Sequence, residues 1–225
     1  MLTSVIFVIL TGLSMFFYPG GTKFDRTAMH YNFVYNFFSD LGATTTYSGK
    51  LNTVSNILFT TALGGTGIVL IYFSKIWRAV STDSHEFKVI GIFSKIFLII
   101  SGISFVGIAF TPWNKFFDYH NTFMKIAFCC LLGWNVLITL LELRNPKMHR
   151  IVIANIIYNL ILIVYLYMIF FIYDHGMEEG LEFQAVAQKI IIYLSVVLLF
   201  IQAFGIGSFL KSADFRRSGM KNFYV

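Results

Sequence analysis

The chain has 225 residues, of which 57% are hydrophobic and only 12% charged, and it carries a formal net charge of +6. A water-soluble domain needs polar outer faces on its helices, so this composition excludes one and requires apolar surface that meets lipid as well as neighbouring helices. The basic residues lie in short loops and a tail, with no domain to shape a groove, which argues against nucleic acid as a partner.

Six apolar blocks follow one another, Leu2 to Tyr18, Thr53 to Phe73, Val89 to Phe110, Phe123 to Leu141, Ile151 to Tyr173 and Ile190 to Leu210. At a rise of about 1.5 Å per residue, each spans all or nearly all of a ~30 Å hydrocarbon core. The predicted fold is all-α: one integral membrane domain over residues 1–225, a polytopic bundle of six transmembrane helices with a short amphipathic helix in the first external loop. The first block has no positive n-region, and Tyr18-Pro19-Gly20-Gly21 is a poor cleavage site, so it reads as a retained helix and not as a cleaved signal.

The loop from Pro19 to Asn52 is long enough to have structure or a job. Met29, Phe33, Val34, Phe37, Phe38 and Leu41 recur at helical spacing, with Asn32, Asn36, Ser39 and Asp40 on the other side. Thr27 is a candidate N-cap, and Gly42 fits just past the end. The spacing therefore predicts an amphipathic helix at the outer surface with its aromatic face in the apolar layer. Asp40 falls in its final turn, where the macrodipole disfavours an anion, and calls for a partner among Arg26, Lys50, Lys115, Lys125 and His120.

Polar and small residues recur along the spans at helical spacing. Asn52, Asn56, Thr60 and Gly64 form one stripe in the second block; Gly91, Ser94, Ser101 and Ser104 lie in the third; Asn121, Lys125, Cys129 and Gly133 in the fourth; Asn155 and Asn159 in the fifth. Such stripes let helices approach and hydrogen-bond in lipid, and the same stripes turned inward would line a polar cavity. Cys129 and Cys130 are adjacent, where a disulfide is strained and a metal lacks further ligands, and read as small packing residues. Lys95 reaches the cytoplasmic interface by snorkelling, and Glu142 pairs with Arg144 or another nearby base. Between the third and fourth blocks, Thr111-Pro112-Trp113-Asn114 breaks the helix, and Trp113, Phe116, Phe117 and Tyr119 suit the interfacial belt, beside which His120 enters the membrane.

Lys75, Arg78, Lys88, Arg144, Lys147, Arg150, Lys211, Arg216, Arg217 and Lys221 fall on one side, against Lys23, Arg26, Lys50, Lys115 and Lys189 on the other. The excess of Lys and Arg in cytoplasmic loops then places both termini in the cytoplasm and makes that rim a partner for anionic headgroups among the membrane lipids.

Ser39-Asp40-Leu41-Gly42 before one span and His120-Asn121-Thr122-Phe123 opening another resemble the damage-regulated autophagy modulator family and its bacterial six-span relatives of unknown function. That broad group includes a factor for remodelling lipids of GPI anchors. The resemblance implies a six-helix protein linked to lipid handling, with Asp40, Gly42, His120 and Phe123 as matching positions, and a bacterial plasma membrane as its setting. The proline that often follows the acidic motif there is replaced here by Thr44-Thr45-Thr46-Tyr47.

Three functional classes remain. In the first, an outer cavity recognises, moves or helps remodel a lipid or other amphipathic molecule without covalent chemistry; the expected ligand-binding residues are Asn36, Ser39, Asp40, Asn56, Thr60, His120, Asn121 and Lys125, and no cofactor is expected. In the second, an intramembrane lipid hydrolase or transferase uses Asp40 and His120 as catalytic residues with metal or water. His30 is the further metal candidate, but it lies nearly three turns from Asp40 on a helix; His175, near Asp174 and Glu178, contributes only if its loop folds inward. No nucleophile elbow or phosphate-binding glycine loop accompanies them. The third class is a channel, with the acidic stretch Asp174 to Glu182 concentrating cations, though no selectivity filter is recognisable.

Overall fold

A computed structural model describes residues 2–75, 85–144, 146–172 and 180–221, without the side chains of 85–87, 147, 172 and 206–221. Arg78 and the acidic segment with Asp174, His175, Glu178 and Glu179 lie outside these residues, as do the side chains of the basic tail from Lys211 to Lys221.

The order of helices is α1 (Leu2–Phe16), α2 (Thr53–Phe73), α3 (His85–Phe110), α4 (Phe117–Glu142), α5 (His149–Tyr167) and α6 (Leu181–Lys221), with a 3-10 turn at Phe38–Gly42 and a π-helical turn at Met168–Ile172. Five of these helical stretches are long and apolar enough to cross a membrane: Thr53–Phe73, Lys88–Phe110, Phe117–Glu142, His149–Phe171 and Leu181–Gly205. The sixth, α1, is apolar but shorter. Their outer faces stay apolar, as along α5, where Ile153, Ile157, Leu160 and Val164 are all exposed. An integral membrane helical bundle has this pattern, because lipid removes the need for a polar exterior.

Side-chain hydrogen bonds and small residues join the helices. Ser14 Oγ meets Ser55 Oγ at 2.8 Å between α1 and α2, Ser101 Oγ donates to the Ala127 carbonyl between α3 and α4 (3.0 Å), and Tyr158 and Ser195 share a bond of 2.8 Å between α5 and α6. Gly67 and Gly102 bring the backbones of α2 and α3 together: a Cβ on Gly67 would lie 2.5 Å from the Gly102 carbonyl oxygen, and one on Gly102 would lie 2.6 Å from that of Gly67. At the opposite end from the 3-10 turn, the Asn155 amide donates to Glu142 (2.6 Å), and the Gln202 amide donates to Asn155 Oδ1 (3.0 Å). Glu142 is thus buried against two carboxamides from α5 and α6, with Gln202 also 3.4 Å from its Oε2, and not paired with Arg144 as its position in the sequence suggested. Both neutral donors serve Oε2, at a lower desolvation cost than a second charge, while the buried Oε1 has no hydrogen-bond partner among the described residues. Cys129 faces outward and is exposed, so it does not fill an inner stripe.

The amphipathic helix expected across 29–41 does not form. Only Phe38–Gly42 is helical, as a single 3-10 turn. Two asparagines divert the backbone: Asn32 Oδ1 accepts the N–H groups of Val34 and Tyr35 (2.9 and 3.2 Å), and Asn36 Oδ1 accepts that of Asn32 (2.9 Å). Such local side-chain bonds compete with helical hydrogen bonding. Thr27 also does not cap a helix; its N–H and hydroxyl both donate to Asp25 Oδ1.

Candidate functional site

The 3-10 turn is inserted among the helix ends. Phe38 is 1% exposed and packs its ring against Phe7, Phe59 and Tyr193, with centroids 6.1, 5.3 and 5.9 Å away, from α1, α2 and α6. Leu41 is fully buried behind it. The Asn52 amide donates to the carbonyls of Leu41 (3.0 Å) and Ala43 (2.9 Å), and Asn56 donates to that of Gly42. At Gly42 a Cβ would lie 2.6 Å from the Phe59 ring, so this position admits no side chain without a shift. Phe38, Leu41 and Gly42 are therefore the anchor that fixes Asp40 between them.

Asp40 is 1% exposed. Its Oδ2 accepts the Asn36 amide (3.0 Å) and the Phe37 backbone N–H (2.9 Å), so the carboxylate caps the start of the turn, where the backbone dipole favours it. The final-turn position expected from the sequence is thus reversed, because the helix that would have preceded Asp40 is absent. None of Arg26, Lys50 or Lys115 is its partner; all three are exposed. The cation that acts on it is Lys189, fully buried on α6, whose Nζ donates to the carbonyls of Asn36 and Ala185 and lies 5.7 Å from the centroid of the Tyr31 ring. Burial pushes the Asp40 carboxyl up to about 7, against the opposing effects of the Asn36 and Phe37 hydrogen bonds, the Lys189 charge and the Trp113 indole. The indole N–H stands beside the carboxylate without reaching hydrogen-bond geometry with it.

A cavity of about 700 Å³ opens at this end of the bundle. Its lining combines polar side chains, among them Asp40, Asp118, His120, Asn121, Lys125 and Gln184, with apolar ones, among them Phe37, Met124, Tyr165, Met168, Ile169 and Leu181. The size lies within the usual range for small-molecule sites. His120 is buried, and its Nδ1–H donates to the Thr111 carbonyl (2.7 Å), which leaves Nε2 as the nitrogen available to an occupant. Lys125 lies 5.2 Å from the centroid of the Phe170 ring.

Of the residues singled out in the sequence, Ser39, Asp40, His120, Asn121 and Lys125 line this cavity. Asn36 stands behind Asp40, fully buried, and orients it. Asn56 and Thr60 do not line it; they bind the carbonyls of Gly42 and Ala109 across helix contacts. His30 is exposed and outside the lining. No hydrogen bond joins Asp40 to His120, and among the described residues no three His, Cys, Asp or Glu side chains converge as metal ligands.

Gln184, Gln188 and Lys189 were missed by the sequence reading, which began the last span at Ile190. Gln188 lines the cavity and accepts the Phe38 N–H through Oε1 (2.8 Å), joining α6 to the 3-10 turn. Gln184 and Gln188 are one helical turn apart, and that spacing in front of an apolar run was the available signal. No family model, curated protein or solved structure matches the chain.

Proposed function

We propose that this is a membrane protein of six crossings, in a bacterial plasma membrane with both termini cytoplasmic, whose cavity at the external, Asp40 end takes up a lipid or similar amphipathic molecule. The observation that carries the reading is that the cavity lining combines polar side chains with apolar ones. A headgroup meets the side chains of α4, α6 and the 3-10 turn, while an acyl chain lies along Met124, Tyr165, Met168 and Ile169. Binding without covalent chemistry is favoured because the Asp40 carboxylate is committed to Asn36 and Phe37 and does not orient His120, as a base in a catalytic pair requires.

A photoactivatable acyl probe tests this. Labelling of the peptides around Met124 and Met168, removed by excess unlabelled lipid and lost in Leu181→Trp, is the expected result. Labelling confined to outer residues such as Ile153 and Ile157, with none that competes, would refute it.

A further inference from the structure

At the end of the bundle away from Asp40, the side chains of Glu142, Asn155 and Gln202 join α4, α5 and α6, and all three are buried: Glu142 is 5% exposed and the other two 0%. The Asn155 amide donates to Glu142 Oε2 (2.6 Å), and the Gln202 amide donates to Asn155 Oδ1 (3.0 Å) and lies 3.4 Å from Glu142 Oε2. Two acceptors are left over. Glu142 Oε1 and Gln202 Oε1 are both buried and have no donor among the described residues. Native interiors leave few polar atoms in this state, because each forfeits its bonds to water without a replacement.

Elimination identifies what the two oxygens lack. Neither has the accessible surface that a neighbouring water requires, so no water bridges them. A metal ion needs a shell of several oxygens, whereas Asn155 Oδ1 and Glu142 Oε2 already accept amide N–H groups and only two oxygens remain. No cationic side chain fills the role either: Lys75, Lys88, Arg144, His149 and Arg150, at the adjoining helix ends, are exposed, Lys95 is half-buried, and among the described residues the side chains that act on the Glu142 carboxyl are Gln202 and Asn155. An ionised carboxylate would therefore be a buried charge without a counter-ion. A proton removes the charge and occupies no volume. We infer that Glu142 is a proton-binding site, holding a proton on its otherwise undonated oxygen in the folded protein, and that closure of α6 on α4 and α5 at this end depends on it. Protonated, Oε1 becomes a donor, and Gln202 Oε1 is the acceptor left for it. Release of the proton leaves both oxygens without a donor and the charge uncompensated, so α6 must part from its neighbours to admit water.

Infrared difference spectra of the full-length protein in detergent, wild type against Glu142→Gln, test the inference at about pH 8, well above the ~4.3 of a solvated glutamic acid. The expected result is the carbonyl band of a protonated carboxylic acid in the wild type, shifted in D2O and lost in the variant; Asp40 contributes to both spectra and cancels. Carboxylate bands in its place would overturn the inference. Thermal unfolding gives a second reading, because Glu142→Gln supplies an N–H in place of the proton and titrates nowhere. The unfolded wild type releases this proton above about pH 4.3 while the folded chain keeps it, so wild-type stability should fall relative to the variant by up to about tenfold in the folding constant per pH unit. A difference that stays constant from about pH 5 to about pH 8 would overturn the inference as well. If Glu142→Gln fails to fold, Gln202→Leu carries the test: its acid band should persist at a shifted frequency, since the acceptor is gone, and an absent or unshifted band would count against the site.

Discussion

Asp40 joins a buried carboxyl, a backbone cap and a cavity wall in one side chain, and its titration is the most direct consequence. Its folded value of about 7 lies above the ~3.9 of an unfolded aspartate, so the protonated group favours the fold. That contribution is complete below about pH 4 and is lost as pH rises through about 7. Asp40→Asn keeps an acceptor for Asn36 and Phe37 and removes the titration. The difference in thermal stability between wild type and variant should therefore change across this window and level off on either side, as followed by intrinsic fluorescence in detergent; a constant difference from pH 4 to pH 8 would contradict the assignment. At Gly42, by contrast, the constraint is steric. Gly42→Ala must displace the Phe59 ring and should destabilise by about 1–3 kcal/mol, measured in the same assay. The Ser39-Asp40-Leu41-Gly42 motif was legible as important, but the reason for each residue was not: periodicity does not reveal that Leu41 is an anchor or that Gly42 faces a ring.

The elements were legible in proportion to their apolar length. The Thr53 to Phe73 block coincides with α2, whereas α4 and α6 begin before their apolar runs do, at Phe117 and Leu181. Hydropathy assigns Gln184, Gln188 and Lys189 to a loop, but their polar atoms face the protein and not lipid, so the helix continues through them. The amphipathic pattern at 29–41 misled for the complementary reason, since Asn32 and Asn36 supply local acceptors that periodicity does not register. Lys189 secures that loop from α6. Lys189→Met keeps the length but leaves the Asn36 and Ala185 carbonyls without this donor, and limited trypsin digestion should then cleave faster at Lys23 and Arg26. The contact between α2 and α3 gives a sharper test. Gly67→Ala should cost about 1–3 kcal/mol, because its Cβ meets the Gly102 carbonyl, while Gly12→Ala, with nothing within 4 Å, should stay within about 0.5 kcal/mol of wild type.

For the molecule as a whole, the proposed orientation follows from the charged loops and predicts a labelling pattern. In a background with Cys129 and Cys130 replaced by serine, single cysteines at Lys50 and Lys115 should react with an impermeant maleimide added outside intact cells, and those at Lys75 and Arg144 only after permeabilisation. The opposite pattern would invert the bundle. The glycine seam of α2 and α3 also bears on how anything enters. Where two main chains touch with no side chain between them, there is little slack to slide or tilt, so that pair behaves as the fixed post of the assembly. The chamber is fronted by other elements, among them the π turn that continues α5 and the first turns of α6.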